Sequence, residues 1–113
     1  MRRGACAVAA LALLAGCLAC ASTAVRAPEI SAEVAAAGLA RGSDRATLES
    51  GREVFRSSCA RCHALPRIGD HSAEEWPAIV DDMSRKSRLL ESDTAALAAF
   101  IQACAAVDRA TEG

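Results

Sequence analysis

Residues 57–65 read Ser57-Ser58-Cys59-Ala60-Arg61-Cys62-His63-Ala64-Leu65, with two cysteines and a histidine inside five consecutive positions. Such a cluster supports three chemistries. Two thiols and an imidazole can begin a zinc site or form a redox disulfide. They can also join one edge of a porphyrin while the adjacent imidazole turns onto its iron. The residues on either side decide between these readings, and the fold follows from the decision.

Zinc needs four ligands, usually two well-spaced pairs. Only one C-x-x-C occurs here, and His63, His71 and Cys104 would have to complete the set at unusual spacings. A thioredoxin-like pair needs a strand–helix–strand setting. No segment alternates apolar and polar residues over five positions or more, so the expected class is all-α. C-x-x-C-H is the attachment motif for c-type haem, in which two thiols add to the two vinyl groups of one porphyrin edge. That chemistry occurs outside the bacterial cytoplasm, so the compartment matters.

The N-terminus supplies a compartment. Arg2 and Arg3 precede an apolar run of twelve residues, 4 to 15. The run is too short to span a bilayer and suits a secretory signal. Leu14-Ala15-Gly16-Cys17 resembles a bacterial lipobox, which implies lipidation of Cys17 after removal of residues 1–16. An ordinary cleaved signal, with Ala19-Cys20-Ala21 as its cleavage site, is the alternative. The resemblance implies a lipid anchor on the periplasmic side of a membrane; without lipidation the protein is soluble in the periplasm. Leu18, where an inner-membrane lipoprotein carries Asp, implies the outer membrane. Residues 17–42 are Ala-rich with no bulky apolar face. They read as a flexible tether, with a short helix possible over 31–40.

Composition narrows the function further. Thirteen basic residues face fourteen acidic ones, and aromatics make up 3% of the chain. No basic stripe or aromatic interleaving points to nucleic acid. A 113-residue chain with two Phe, one Trp and no Tyr has a thin core. Small domains of this kind need a staple such as a disulfide, a metal or a bound group.

The expected domain spans 43–108, followed by a disordered tail over 109–113. Ser43 or Asp44 caps a helix to about Ser57, with Leu48, Gly51 and Phe55 inward. A glycine inside a helix costs about 1 kcal/mol against alanine. Gly51 therefore signals close backbone approach by another helix. Ser72 and Glu75 form a capping box. Pro77 belongs in a first turn, so the helix starts late, near Trp76. Trp76, Ile79, Val80 and Met83 then form one stripe. Ser92 or Asp93 caps a last helix over about 94–105, with Leu97, Phe100, Ile101 and Cys104 inward. Cys104 is a small buried residue or, if the tether folds back, a partner for Cys20.

Gly51-x-x-x-Phe55-x-x-x-Cys59-x-x-Cys62-His63 resembles the first helix of the cytochrome c family. The resemblance covers residues 44–105. It implies three helices around one covalent haem c, and a close crossing of first and last helices at Gly51, with Phe55 and Phe100 beside it. It also implies that Cys59 and Cys62 hold the ring and His63 holds the iron. The family's usual distal ligand is methionine. Met83 is the one methionine besides the initiator, twenty residues after His63. Mitochondrial-type members carry theirs much later. The Trp76-x6-Met83 spacing is similar instead to the cytochrome subunits of periplasmic sulfite dehydrogenases.

Met83 as ordinary core and His71 as a rival ligand remain alternatives. The other ring nitrogen of His63 needs an acceptor, for which a carbonyl near Leu65–Pro66 is a candidate. Trp76 packs on the ring edge or is plain core. Arg67 and Arg88 pair with haem carboxylates or are solvated. His/Met ligation leaves no open position and implies an electron carrier, not an enzyme. Its partners would be periplasmic redox proteins: a dehydrogenase, and a terminal oxidase or reductase. With Met83 unligated, a five-coordinate sensor or a peroxidase-like enzyme is the alternative.

Overall fold

Gly51 sits where two helices cross. In a computed structural model that describes residues 24–113, a Cβ at Gly51 would fall onto the Ala96 carbonyl oxygen, 2.6 Å from that carbonyl's carbon and 2.8 Å from Phe100 Cβ. Only glycine allows this approach. The helix bearing Gly51, here called α2, spans Arg45–Ser58 and buries Leu48, Gly51 and Phe55, the three positions expected to face inward. Asp44 caps it: its carboxylate accepts from the Thr47 amide at 2.8 Å and the Thr47 hydroxyl at 2.7 Å. Those bonds, the amide's first, hold the Asp44 pKa below its ordinary value.

Four α-helices make up the described chain: α1 Ala32–Leu39, α2, α3 Trp76–Lys86 and α4 Glu91–Glu112. Two 3₁₀ turns, Cys59–Arg61 and Ile68–Asp70, lie between α2 and α3. There is no strand among the described residues, so the class is all-α. The central element is α4, against which α1, α2 and α3 all pack. It buries Leu97, Phe100, Ile101 and Cys104, as expected, together with Ala96, Ala103 and Ala105. Phe55 and Phe100 meet beside the crossing, ring centroids 5.9 Å apart and tilted by 53°.

α4 departs from its expected bounds at both ends. Leu90 takes the cap position, its carbonyl accepting from the Thr94 amide and hydroxyl. Ser92 and Asp93 lie within the first turn, where Glu91 and Asp93 favour the positive end of the helix dipole. At the other end the helix continues to Glu112, which corrects the expected disordered tail over 109–113. Alanines and other good helix formers continue there, and Arg109 reaches Glu74 at 3.5 Å.

The tether reading of residues 17–42 is corrected for its described part. Residues 25–30 lie along the body, and α1 packs on α4 and α2. Ala27, Val34 and Gly38 are buried. Ser31 caps α1 through the Val34 amide at 3.2 Å. Arg52 on α2 holds this strap: Nε donates to the Pro28 carbonyl (2.7 Å), and the guanidinium also reaches the Ala27 carbonyl (3.3 Å) and the Glu29 carboxylate (2.7 Å). Small residues let the strap lie close, so it docks without the bulky face whose absence suggested a tether. The folded unit therefore begins well before residue 43. Residues 1–23, with the signal, Cys17 and Cys20, lie outside the described residues.

Candidate functional site

α2 ends at Ser58, and the chain tightens into the 3₁₀ turn Cys59–Arg61, with Cys62 as its helical C-cap. Side chains at i and i+3 of a 3₁₀ turn eclipse. Cys59 opens the turn and Cys62 caps it three positions on; Cys59 borders the cavity beside the turn and Cys62 does not. Cys59 is buried, at 8% exposure, and Cys62 is exposed. His63 follows, exposed, with Nδ1 2.7 Å from the Ala64 carbonyl. As an N–H, Nδ1 donates to that oxygen, which leaves Nε2 as the free ring nitrogen. The acceptor is a backbone carbonyl, as expected, but it belongs to Ala64 and not to Leu65 or Pro66.

A cavity of about 190 Å³ opens beside this turn. Cys59, His63 and Met83 border it, and Phe55, Trp76 and Leu97 supply much of its apolar wall. His71 borders it as well. Two of the walls come from the α2–α4 crossing, so Gly51 positions the cavity although it does not touch it.

The segment before α3 is held tightly. The Arg67 amide donates to Asp70 Oδ2 at 3.0 Å. Ser72 and Glu75 bond reciprocally, amide to Glu75 Oε2 at 2.7 Å and Glu75 amide to Ser72 Oγ at 3.2 Å. This is the expected capping box, and α3 starts at Trp76 with Pro77 in its first turn. Trp76 is buried and donates Nε1 to the Ile68 carbonyl at 3.0 Å. His71 meets it in a T-shaped arrangement, centroids 5.1 Å apart. Trp76 is therefore both core and cavity wall.

Met83 lies in the last part of α3. The helix closes just after it, with Leu89 donating to the Ser84 carbonyl (3.0 Å) and Arg88 to the Arg85 carbonyl (3.2 Å). Arg88 takes the left-handed position, φ 53°. This is a Schellman closure with Arg where glycine is usual. Arg67 and Arg88 are both exposed and neither borders the cavity. Ser84, beside Met83, is 6% exposed, and its hydroxyl has no partner among the described residues. Its i, i+4 spacing with Trp76 and Val80 marks it as inward, a signal the stripe through Met83 obscured.

Burial pushes the Cys59 thiol pKa up. A redox dithiol works the other way, with a thiolate favoured near neutral pH. Cys104, in the core, is pushed up to about 12 by burial and then by the Asp108 carboxylate, with Arg52 opposing. No disulfide joins the described cysteines; a pairing of Cys104 with Cys20 lies outside the described residues. Among the described residues no three His, Cys, Asp or Glu side chains gather as a metal-ion cluster. The donors that do share the cavity are thiol, imidazole and thioether.

Comparison with protein-family models, with curated proteins and with solved structures returned no match.

Proposed function

We propose that this chain is a one-electron carrier of the cytochrome c type, holding one covalent haem c through Cys59 and Cys62. His63 and Met83 would ligate its iron. The observation that carries the reading is the cavity: Met83, twenty residues after His63, borders the same apolar space as Cys59 and His63. The donor set fits the group. Two thiols three positions apart suit one porphyrin edge. The Ala64 carbonyl fixes the His63 ring so that its free nitrogen can ligate, and a thioether suits haem iron. A haem so held supplies one-electron exchange, and methionine ligation favours the reduced state relative to a second nitrogen ligand.

The protein residues do the rest. Phe55, Trp76 and Leu97, buried walls of the cavity, would keep water from a bound ring. A ring attached at the exposed Cys62 would stay accessible to periplasmic partners for electron exchange. Those partners are a dehydrogenase as donor and a terminal oxidase or reductase as acceptor. Lipidation at Cys17 would keep the carrier at a membrane facing the periplasm.

The test is a haem stain on a denaturing gel, with the chain exported in a bacterium that attaches haem c. A stained band that disappears when Cys59 and Cys62 are both replaced by Ala is expected; an unstained wild-type chain overturns the reading. A ferric spectrum then reports Met83. The far-red sulfur–iron band should be present in the wild type and absent in Met83→Ala, which should bind carbon monoxide when reduced. A wild type without that band that binds carbon monoxide belongs to a five-coordinate sensor or enzyme.

A further inference from the structure

The cavity has one donor that the carrier reading leaves unused. Its walls are mostly hydrocarbon and aromatic. Of the side chains there that carry a nitrogen or sulfur, Cys59, His63 and Met83 already have roles, and Trp76 gives its only N–H to the Ile68 carbonyl. His71 remains.

Its position is built. His71 ends the 3₁₀ turn Ile68–Asp70 in an extended conformation, φ −133° and ψ 150°. The turn before it is closed by the Arg67–Asp70 bond, and the capping box after it by Ser72 and Glu75. The Trp76 ring, itself anchored to the Ile68 carbonyl, meets the imidazole in a T-shaped contact. The Glu75 carboxylate, bonded to the Ser72 amide, lies close enough to interact with the charge of His71 but makes no hydrogen bond to its ring. The ring nitrogens of His71, unlike Nδ1 of His63, have no carbonyl or side-chain partner among the described residues.

His71 is also exposed while bordering the cavity, so it stands at the mouth. His63, the proposed iron ligand, is also exposed and borders the cavity, so what separates the two imidazoles is that His63 belongs to the Cys59–His63 cluster and His71 does not. A mouth position suits the charged side groups of a porphyrin, which stay near water because burying a carboxylate is costly. Arg67 and Arg88, the cations expected to compete for that role, do not border the cavity.

We propose that His71 is a positioning residue that donates a hydrogen bond to a haem carboxylate at the cavity mouth and thereby raises the haem's reduction potential. The proposal rests on the carrier reading. A donor on that carboxylate offsets negative charge near the iron, and so favours the added electron. Charge-assisted bonds of this kind are the strong ones.

The experiment uses haem-loaded full-length protein, first stained for haem and scanned for the far-red band, then titrated spectroelectrochemically. His71→Leu removes the donor; His71→Gln keeps one. The Leu variant should retain the far-red band and shift the reduced-to-oxidised ratio, at fixed potential, about three- to tenfold toward oxidised. The Gln variant should recover most of that shift. A Leu variant that matches the wild type overturns the proposal and leaves the carrier reading intact. So do equal shifts in both variants, which lost packing on Trp76 would explain. Loss of the far-red band in the Leu variant also overturns it, since His71 would then act on the ligation itself. A wild type without haem overturns the carrier reading beneath it.

Discussion

Gly51, in the crossing of α2 and α4, shows how little tolerance the core has there. Gly51 has no room for a methyl, because the obstacle is the Ala96 backbone, which cannot swing aside as a side-chain end can. Gly38 is different, since an added Cβ there would meet Leu48 Cδ1 at 2.6 Å, and that methyl can rotate. Gly51→Ala should therefore destabilise by about 3 kcal/mol, at the upper end of overpacking costs, despite alanine's better helix propensity. Urea unfolding of the protein measures this, and a loss under about 0.5 kcal/mol would mean that the helices separate easily. Cys104 makes a pH prediction. Its folded pKa is pushed up to about 12 from an ordinary 9.0. Below pH 9 both folded and unfolded chains keep the thiol protonated, so its contribution is fully present. Above 9 the unfolded chain loses the proton first, and stability falls as pH rises toward 12, at up to about 1.4 kcal/mol per unit. Cys104→Ala should flatten that alkaline limb, whatever its cost at neutral pH. An unchanged slope in stability measured from pH 8 to 11 would refute the assignment.

At the scale of elements, the strap over residues 25–39 depends on one side chain. Arg52 satisfies two strap carbonyls and one carboxylate at once. Its replacement by alanine should cost about 2 kcal/mol, as for hydrogen bonds to a charged group. Limited proteolysis should then cut within 25–42 before cutting elsewhere; an uncut strap would mean that α1 holds by its apolar contacts alone. The strap is also where the sequence was hardest to read. α2, the late start of α3 and the inward face of α4 were legible because their signals are local: a capping carboxylate, a proline in a first turn, large side chains at helical spacing. The strap has only Ala27, Ile30, Val34 and a glycine to offer, and its partner, Arg52, lies over twenty residues away. Small residues pack by closeness and not by bulk, and periodicity in bulk does not register them. The site divides in the same way. Cys59, Cys62 and His63 stand together in the sequence, whereas the nearness of Met83 and His71 to them arises only once the segment from Pro66 to Trp76 is folded. The Ala64 carbonyl was missed by one residue because backbone acceptors carry no sequence signature.

Across the whole molecule, the docked strap changes how far the domain can stand from a membrane. A tether running to Ser43 would let a lipidated Cys17 hold the domain as far as about 90 Å away, at about 3.5 Å per residue. Among the described residues the first buried one is instead Ala27, ten residues after Cys17, which limits the span to about 35 Å. On the proposed reading, a carrier lipidated at Cys17 and held on so short a leash would serve partners within or beside the same bilayer, not ones deeper in the periplasm. Neutron reflectometry of the lipidated, haem-loaded protein on a supported bilayer measures the span directly. The near edge of the protein layer should lie within about 35 Å of the headgroups. Arg52→Ala, by releasing the strap, should let the layer move outward and broaden. An unmodified domain found farther out would show that the strap leaves its groove at the membrane. If the wild type is held close and Arg52→Ala does not change the profile, α1 and not Arg52 sets the reach. An intermediate linker of about twenty Gly/Ser residues placed before Val25 adds roughly 25 Å of root-mean-square reach. It should move the layer outward while leaving the haem spectrum unchanged, because the insertion lies outside the folded unit that forms the cavity.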